Sequence, residues 1–297
     1  MSTRLSPATG RPYGVARVTR VWRISRATVY RQRAASAELR PASRPGPLGP
    51  CPDADLVAAI REVLAASPFH GEGYRKVWAR LRLSGIRTSR RRVLRLMREY
   101  GLLAPTRAGG TRGPRHHDGT IVTERVDEMW GTDLTTVVTG EGTAAVFIAV
   151  DHCSAECIGI HAAASATRFE ALEPIRQGVR QFYGAFAEGI AHGLALRHDH
   201  GSQYTSYDFQ NEIAFLGMTS SPSFVRAPEG NGCAERFIRT LKENLLWLRF
   251  FDTIEELRLA LLDFQRRYNE TWIVERHGYR TPAAIRAAQQ AQPALAA

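Results

Sequence analysis

The chain has 297 residues, 44% of them hydrophobic, which is enough for two domains with real cores. Its net charge of +11 is split, with 24 Lys/Arg against 6 Asp/Glu in residues 1–115 and 16 against 23 in the rest; the basic half suits a polyanion, and the acidic half would repel DNA unless metal ions neutralise it. No apolar run reaches membrane-spanning length, the N-terminus has no apolar secretory core, and four cysteines do not look like a disulfide framework, so a cytoplasmic protein with no membrane partner is expected.

Residues 1–40 predict a small helix-turn-helix segment. One helix runs from Tyr13 to Trp22, and a second follows Ser25 as N-cap, with Arg31 facing outward. Seven Pro and Gly residues in 41–52 make that stretch a linker. Residues 53–104 predict three helices. Asp53 opens the first, with Leu56, Ile60 and Leu64 on one face. The second covers about Gly73–Leu83 and stops at Gly85. The third starts at Thr88 or Ser89 and stops at Gly101. Arg90, Arg91, Arg92, Arg95 and Arg98 give the third helix a dense positive surface, so residues 53–104 are expected to bind DNA. Residues 105–120 form a Gly/Arg/Thr-rich connector.

From Met129 to Thr139 the pattern alternates as a strand, with Gly131, Asp133, Thr135 and Val137 on one face. Ala144–Val150 is a continuous apolar run, hence a buried central strand. Glu156–His161 predicts a third strand, Arg168–Phe186 a helix, and Leu194–Arg197 a fourth strand ending at His198-Asp199. A late helix carries the stripe Ala234, Ile238, Leu241, Leu245 and Leu248, with Asn231 as its expected cap. At about 100° per residue, Glu235, Arg239 and Lys242 fall within about 60° of one another beside that stripe. Ile254, Leu257, Leu261 and Phe264 predict a covering helix.

Asp133 lies in Met129-Trp-Gly-Thr-Asp-Leu-Thr135, Asp199 in Arg197-His-Asp-His-Gly-Ser-Gln-Tyr204 and Glu235 in Gly230-Asn-Gly-Cys-Ala-Glu-Arg236, with 35 residues between the last two acids. These segments resemble the Asp-Asp-35-Glu core of insertion-sequence transposases and retroviral integrases, most closely the IS3 family. The resemblance spans about residues 68–285. It includes Gly73-Tyr-Arg-Lys-Val-Trp78 ahead of the core, and Tyr268-Asn269 and Gly278-Tyr-Arg-Thr-Pro282 behind it. Glu270–His277 departs from the family pattern.

The resemblance implies an α/β ribonuclease-H-like catalytic core at 121–287, an N-terminal all-α helix-turn-helix region ahead of it, and a flexible tail at 288–297. It implies a DDE transposase that cleaves and joins DNA strands at the ends of its own element. Asp133, Asp199 and Glu235 would be both catalytic residues and metal ligands for Mg²⁺ or Mn²⁺, with two ions clamping the attacking and leaving oxygens. Lys242, Arg239, Gln203 and Tyr204 would touch DNA near the site. Asp151 is expected to be structural or to support the metals. The partners implied are the element's terminal repeats, target DNA and further copies of the chain. No long leucine heptad array is present, so a small helix-turn-helix or coiled-coil partner protein from the same element is also expected. The rival readings are a domesticated, non-catalytic DNA-binding protein and a ribonuclease-H-class nuclease.

Overall fold

The computed structural model describes residues 3–37, 51–105, 123–223 and 231–291. Most of the predicted linker, connector and tail lies outside these residues. Residues 1–49 form one compact unit and residues 50–297 another. In the first unit, α1 (Gly14–Val21) and α2 (Arg26–Ala37) form the expected pair, and Ser25 Oγ accepts from the Ala27 N–H at 3.2 Å. Arg31 is exposed on α2.

The second unit begins with α3 (Asp53–Ala66), α4 (Tyr74–Leu83) and α5 (Arg90–Glu99). Leu56, Ile60, Val77, Leu81, Val93 and Met97 meet in their shared core, as residues spaced three and four apart should. Ser89 caps α5 by accepting from the Arg92 N–H. The dense positive face expected on α5 is only partly free. Arg92 Nε donates to Asp53 at 2.8 Å and Arg95 to the other oxygen at 2.6 Å, and Arg95 also pairs with Glu99. These contacts tie α5 to the start of α3, and Arg95 and Arg92 pull the Asp53 carboxyl down to about 2. Arg92 and Arg95 are therefore helix-joining residues in this structure, while Arg90, Arg91 and Arg98 remain exposed.

The three helices pack against the C-terminal part of the same unit through α4 and the segment before it. The Phe69 ring meets Trp272 edge-on at 4.9 Å, and the buried Glu72 pairs with Arg80, which also donates to the Thr271 carbonyl. Between them Lys76 points its Nζ at the Trp272 ring, without a hydrogen-bond partner among the described residues. Burial pushes the Lys76 ammonium from 10.5 to about 7, although Glu72 pulls it back up. A folded pKa below the unfolded one means that the unfolded chain holds more protons between pH 7 and 10.5, so stability rises with pH across that window. Lys76→Met should therefore stabilise the protein by roughly 2–4 kcal/mol at neutral pH, with the gain shrinking toward pH 10. Denaturant melts of both proteins at the two pH values check this. A loss of stability at pH 7 would show that the contact with Trp272 outweighs burial.

Five strands form the sheet: β1 (Met129–Thr139), β2 (Gly142–Asp151), β3 (Cys157–Ala163), β4 (Ala195–His198) and β5 (Thr219–Pro222), in the order β3-β2-β1-β4-β5. The first three form an antiparallel meander, with Asp133 opposite Ile148, and β4 and β5 run parallel to β1. Between β3 and β4, α6 (Arg168–Tyr183) crosses one face and ends at Gly184, whose φ of 77° stops it three residues before the expected Phe186. Gly159 and Gly178 let α6 lie close to the sheet. A Cβ on Gly159 would stand 2.1 Å from the Pro174 carbonyl oxygen, and one on Gly178 would stand 2.1 Å from Ile158.

After β4 come α7 (Ser202–Thr205) and α8 (Tyr207–Phe215). On the opposite face lie α9 (Gly232–Leu241) and α10 (Ile254–Thr271), and α11 (Pro282–Ala291) packs against α10. Phe237, Leu241, Leu257, Leu261 and Phe264 pack there with Val146 and Ile148 of β2.

The expected stripe of α9 changes at its end. A π-helical turn, Lys242–Leu246, follows α9, so Leu245 and Leu246 are both buried and Leu248 is 57% exposed rather than part of the stripe. Arg276 and His277, in the segment that departs from the family pattern, bond the carbonyl of Cys153, with Arg276 also reaching that of His152. That stretch holds the turn after β2. Among the described residues, no helix is long and apolar enough to cross a membrane.

Candidate active site

Asp133 stands on the central strand of the sheet, on the face covered by α9. The phase is set two residues earlier by Gly131, where a Cβ would lie 2.7 Å from Asn231 Oδ1 and 2.7 Å from His152 Nε2. Glycine here lets the start of α9 approach the strand. Asn231 stands at the N-cap position of α9, as expected, but its side chain makes no cap bond. Its Nδ2 donates to the Thr132 carbonyl at 2.9 Å, pinning α9 to β1 one residue from Asp133. A glycine inside the strand was the available signal for this contact. Glu235, one turn into α9, then lies on the side of the helix toward Asp133, and Lys242 stands two turns on.

Asp199 comes from the other side. It follows β4, which pairs parallel with β1 in the register Gly131 to Arg197. Its Oδ1 accepts the Gly201 N–H at 2.8 Å. His198 fixes the backbone there. Its Nδ1 lies 2.6 Å from the Asp199 carbonyl and its Nε2 2.9 Å from the Ser220 hydroxyl of β5. A carbonyl only accepts, so Nδ1 carries the proton and Nε2 accepts from Ser220. Burial holds the His198 imidazole below its ordinary pKa, in keeping with this neutral form.

Tyr204, expected to touch DNA, is a core residue instead. It is fully buried, stacked on His198 at 5.9 Å and packed edge-on against Phe209. Its apolar ring closes the floor under the loop, a role that a motif reading cannot separate from a surface one. Gln203 is half-buried and folds back over Gly201, with its Nε2 2.4 Å from where a Gly201 Cβ would stand. Arg239 is exposed but pairs with Glu243 at 3.0 Å. His200 is exposed. Asp151 is fully buried and accepts from Asp127 N–H and from Ser154 N–H and Oγ–H, so its oxygens are taken up by the turn after β2.

Asp199 and Glu235 both act on the charge of Asp133. The Asp133 carboxyl is pushed from 3.8 up to about 6, chiefly by burial, with Asp199 and Glu235 adding to the rise and Lys242 opposing it. Burial also raises Glu235. Excess negative charge at a half-buried position seeks a counter-cation, and the donors are all carboxylate oxygens, the set preferred by a hard divalent ion. Among the described residues, no group of three or more His, Cys, Asp or Glu side chains is placed to hold a metal ion together. Mg²⁺ does not need one, because it keeps several of its waters and uses one or two carboxylates. The residues fit such an ion.

Residues 52–109 match the HTH-like domain family, and residues 123–228 and 216–282 match two integrase core domain families. The chain is 27% identical over 282 residues to Transposase InsD for insertion element IS2A/D/F/H/I/K of Escherichia coli, covering 92% of this chain and 90% of the relative. It is 26% identical over 287 residues to an insertion element IS2A uncharacterized 48.2 kDa protein of Escherichia coli, covering 93% of this chain but 65% of that protein's length. Among solved structures, the catalytic core domain of BIV integrase aligns at TM-score 0.43 and 22% identity, covering 56% of this chain and 97% of that one. The HTLV-2 integrase catalytic core domain in complex with magnesium aligns at 0.42 and 16%, covering 55% and 98%.

Proposed function

We infer that this chain, which belongs to the DDE transposases of the IS3 family with an HTH-like domain ahead of an integrase core, cuts and joins DNA strands at the ends of its own element. The observation that supports this reading is that Asp199, from the end of β4, Glu235, from α9, and Lys242, from the turn after it, all act on the charge of Asp133 on β1. Asp133, Asp199 and Glu235 would hold divalent Mg²⁺ or Mn²⁺, two ions in the full arrangement. Such ions would neutralise phosphate oxygens and activate the attacking hydroxyl. The protein's own share is positional. Asn231 fixes the distance between α9 and β1, while His198 and Gly201 fix the backbone and one oxygen of Asp199. Lys242 supplies the positive charge opposite the three acids. Water attacks first and the freed 3′-hydroxyl second, so no covalent link to the enzyme is required.

The basic residues of 1–104, including the exposed Arg31, Arg90 and Arg91, would hold the terminal repeats and target DNA. Further copies of the chain, and a small partner protein from the same element, would complete the assembly.

The test is to incubate purified protein with labelled duplexes carrying the inverted repeats that flank its gene, with target plasmid and Mg²⁺. Nicked and joined products that vanish with EDTA are expected. End binding without cleavage would instead give the role of a non-catalytic DNA-binding protein, and cutting confined to RNA–DNA hybrids that of a ribonuclease H. Lys242→Ala should slow cleavage by about ten- to a hundredfold and lower the salt slope of DNA binding by about one counterion, with Lys242→Arg retaining most activity. Unchanged cleavage and salt slope in the alanine variant would leave Lys242 as a solvated surface residue.

A further inference from the structure

We propose that a cleft beside the acidic cluster binds unpaired nucleotides of a DNA strand. It opens between the outer half of β1 and the segment after α9, with a volume of about 600 Å³. This is within the range of roughly 300–1,000 Å³ typical of small-ligand sites. Lys242 lines it, and the charge of the same lysine reaches Asp133, so the cleft and the acids share a wall. Among the described residues Lys242 forms no ion pair.

The aromatic side chains come from the π-helical turn. The wider turn rotates the residues after it off the helix stripe, leaving Trp247 67% and Phe250 62% exposed at the cleft. Thr136 and Thr143 line the strand side. Two large rings are kept in water here at a hydrophobic cost that core packing does not require.

The chemistry favours one occupant. An aromatic face beside a free cation is a stacking platform for single strands, because every base has a π face and every linkage a phosphate. In a duplex those base faces are covered by their neighbours, so the cleft selects nucleotides that have left the stack, as at a frayed end. A protein partner is a poorer fit, because the centres of protein interfaces are depleted in lysine. The proposal rests on the strand-cleaving reading and places the strand next to the scissile phosphate in the cleft.

Full-length protein in EDTA, titrated into a fluorescein-labelled thymidine oligomer of about 15 nucleotides and into a hairpin duplex of similar length, tests it. Trp247→Ala should weaken single-strand binding about tenfold, with Trp247→Phe restoring most of it and duplex binding changing less than about twofold. Because Trp247 is exposed, the melting temperature should not move. With 5-iodouracil replacing thymine, ultraviolet crosslinks should map to residues 242–250. Equal single-strand affinity in Trp247→Ala, or crosslinks only elsewhere, overturns the cleft. So does a variant that keeps its DNA affinity but turns an oligomer into a monomer, which would give the surface to a second copy of the chain. Failure of the wild-type protein to cut duplex ends in Mg²⁺ is a separate result. It removes the transposase reading whatever the thymidine titration shows.

Discussion

Asp133→Asn, Asp199→Asn and Glu235→Gln are each expected to lower strand cleavage and joining by about a thousandfold or more while leaving end binding largely intact. Losing one carboxylate from a three-acid set removes several kcal/mol of metal-based stabilisation from the transition state, and about 4 kcal/mol is a factor of a thousand. Asp133→Asn carries a second expectation with the opposite sign. In the metal-free protein Asp133 is raised from 3.8 to about 6, mainly by burial, so its charge opposes folding at neutral pH. The folded state holds the proton between those two values. This group's contribution to stability therefore falls as pH rises through that window and stays low above it. The asparagine variant has no such charge and should be more stable than wild type by about 1–3 kcal/mol at pH 7, with the difference fading below pH 4. Mg²⁺ should then raise the melting temperature of the wild type and leave that of the variant almost unmoved. Calorimetric scans with and without Mg²⁺, beside a cleavage assay, separate the two effects. Near-wild-type turnover in any folded variant would remove that residue from the site.

Arg286→Ala is expected to cost about 3–5 kcal/mol, which for a unit of this size is about 10 °C in melting temperature. Arg286 is 4% exposed on α11 and binds Glu156 and Asp127, the latter at 2.6 Å, with its guanidinium over the Phe182 ring. Burial pushes the Glu156 carboxyl up, and Arg286 is what holds it down. Removing the arginine leaves a buried carboxylate without its partner, which costs more than the pair itself contributes. The damage should reach the active site. Asp127 also accepts from Trp130 Nε1 at 2.9 Å and its N–H donates to Asp151, so the network anchors the start of β1 ahead of Asp133. Cleavage by Arg286→Ala should therefore fail at a lower temperature than wild type. The double variant Glu156→Gln with Arg286→Met leaves less charge stranded and should recover part of the loss. Denaturant melts of the three proteins decide this, and a single variant within about 1 kcal/mol of wild type would show that the network is not what holds α11 to the sheet.

Where chemistry and periodicity coincide within a short stretch, the sequence by itself determined the outcome. The alternation of Met129–Thr139 set the strand and the face of Asp133, the unbroken apolar run of β2 marked it as buried, and the spacing of Ala234, Ile238 and Leu241 put Glu235 and Lys242 on one side of α9. Each of these comes from backbone geometry over a few residues. The tertiary structure alone decided what depends on a partner distant in the chain. The polar Thr219–Pro222 is a strand because β4 offers it a free edge, not because of any pattern of its own. Tyr204 is buried because His198 and Phe209 pack around it, and Arg92 and Arg95 face Asp53 because α3 folds back to meet them. The Asn231 side chain spans to β1 across 99 residues of sequence instead of making a cap bond to its own helix. The π-helical turn releases Trp247 from a stripe that 3.6 periodicity would have continued. Local periodicity says which face of an element is apolar. Long-range pairing chooses what that face meets, and so which polar groups remain free for the substrate.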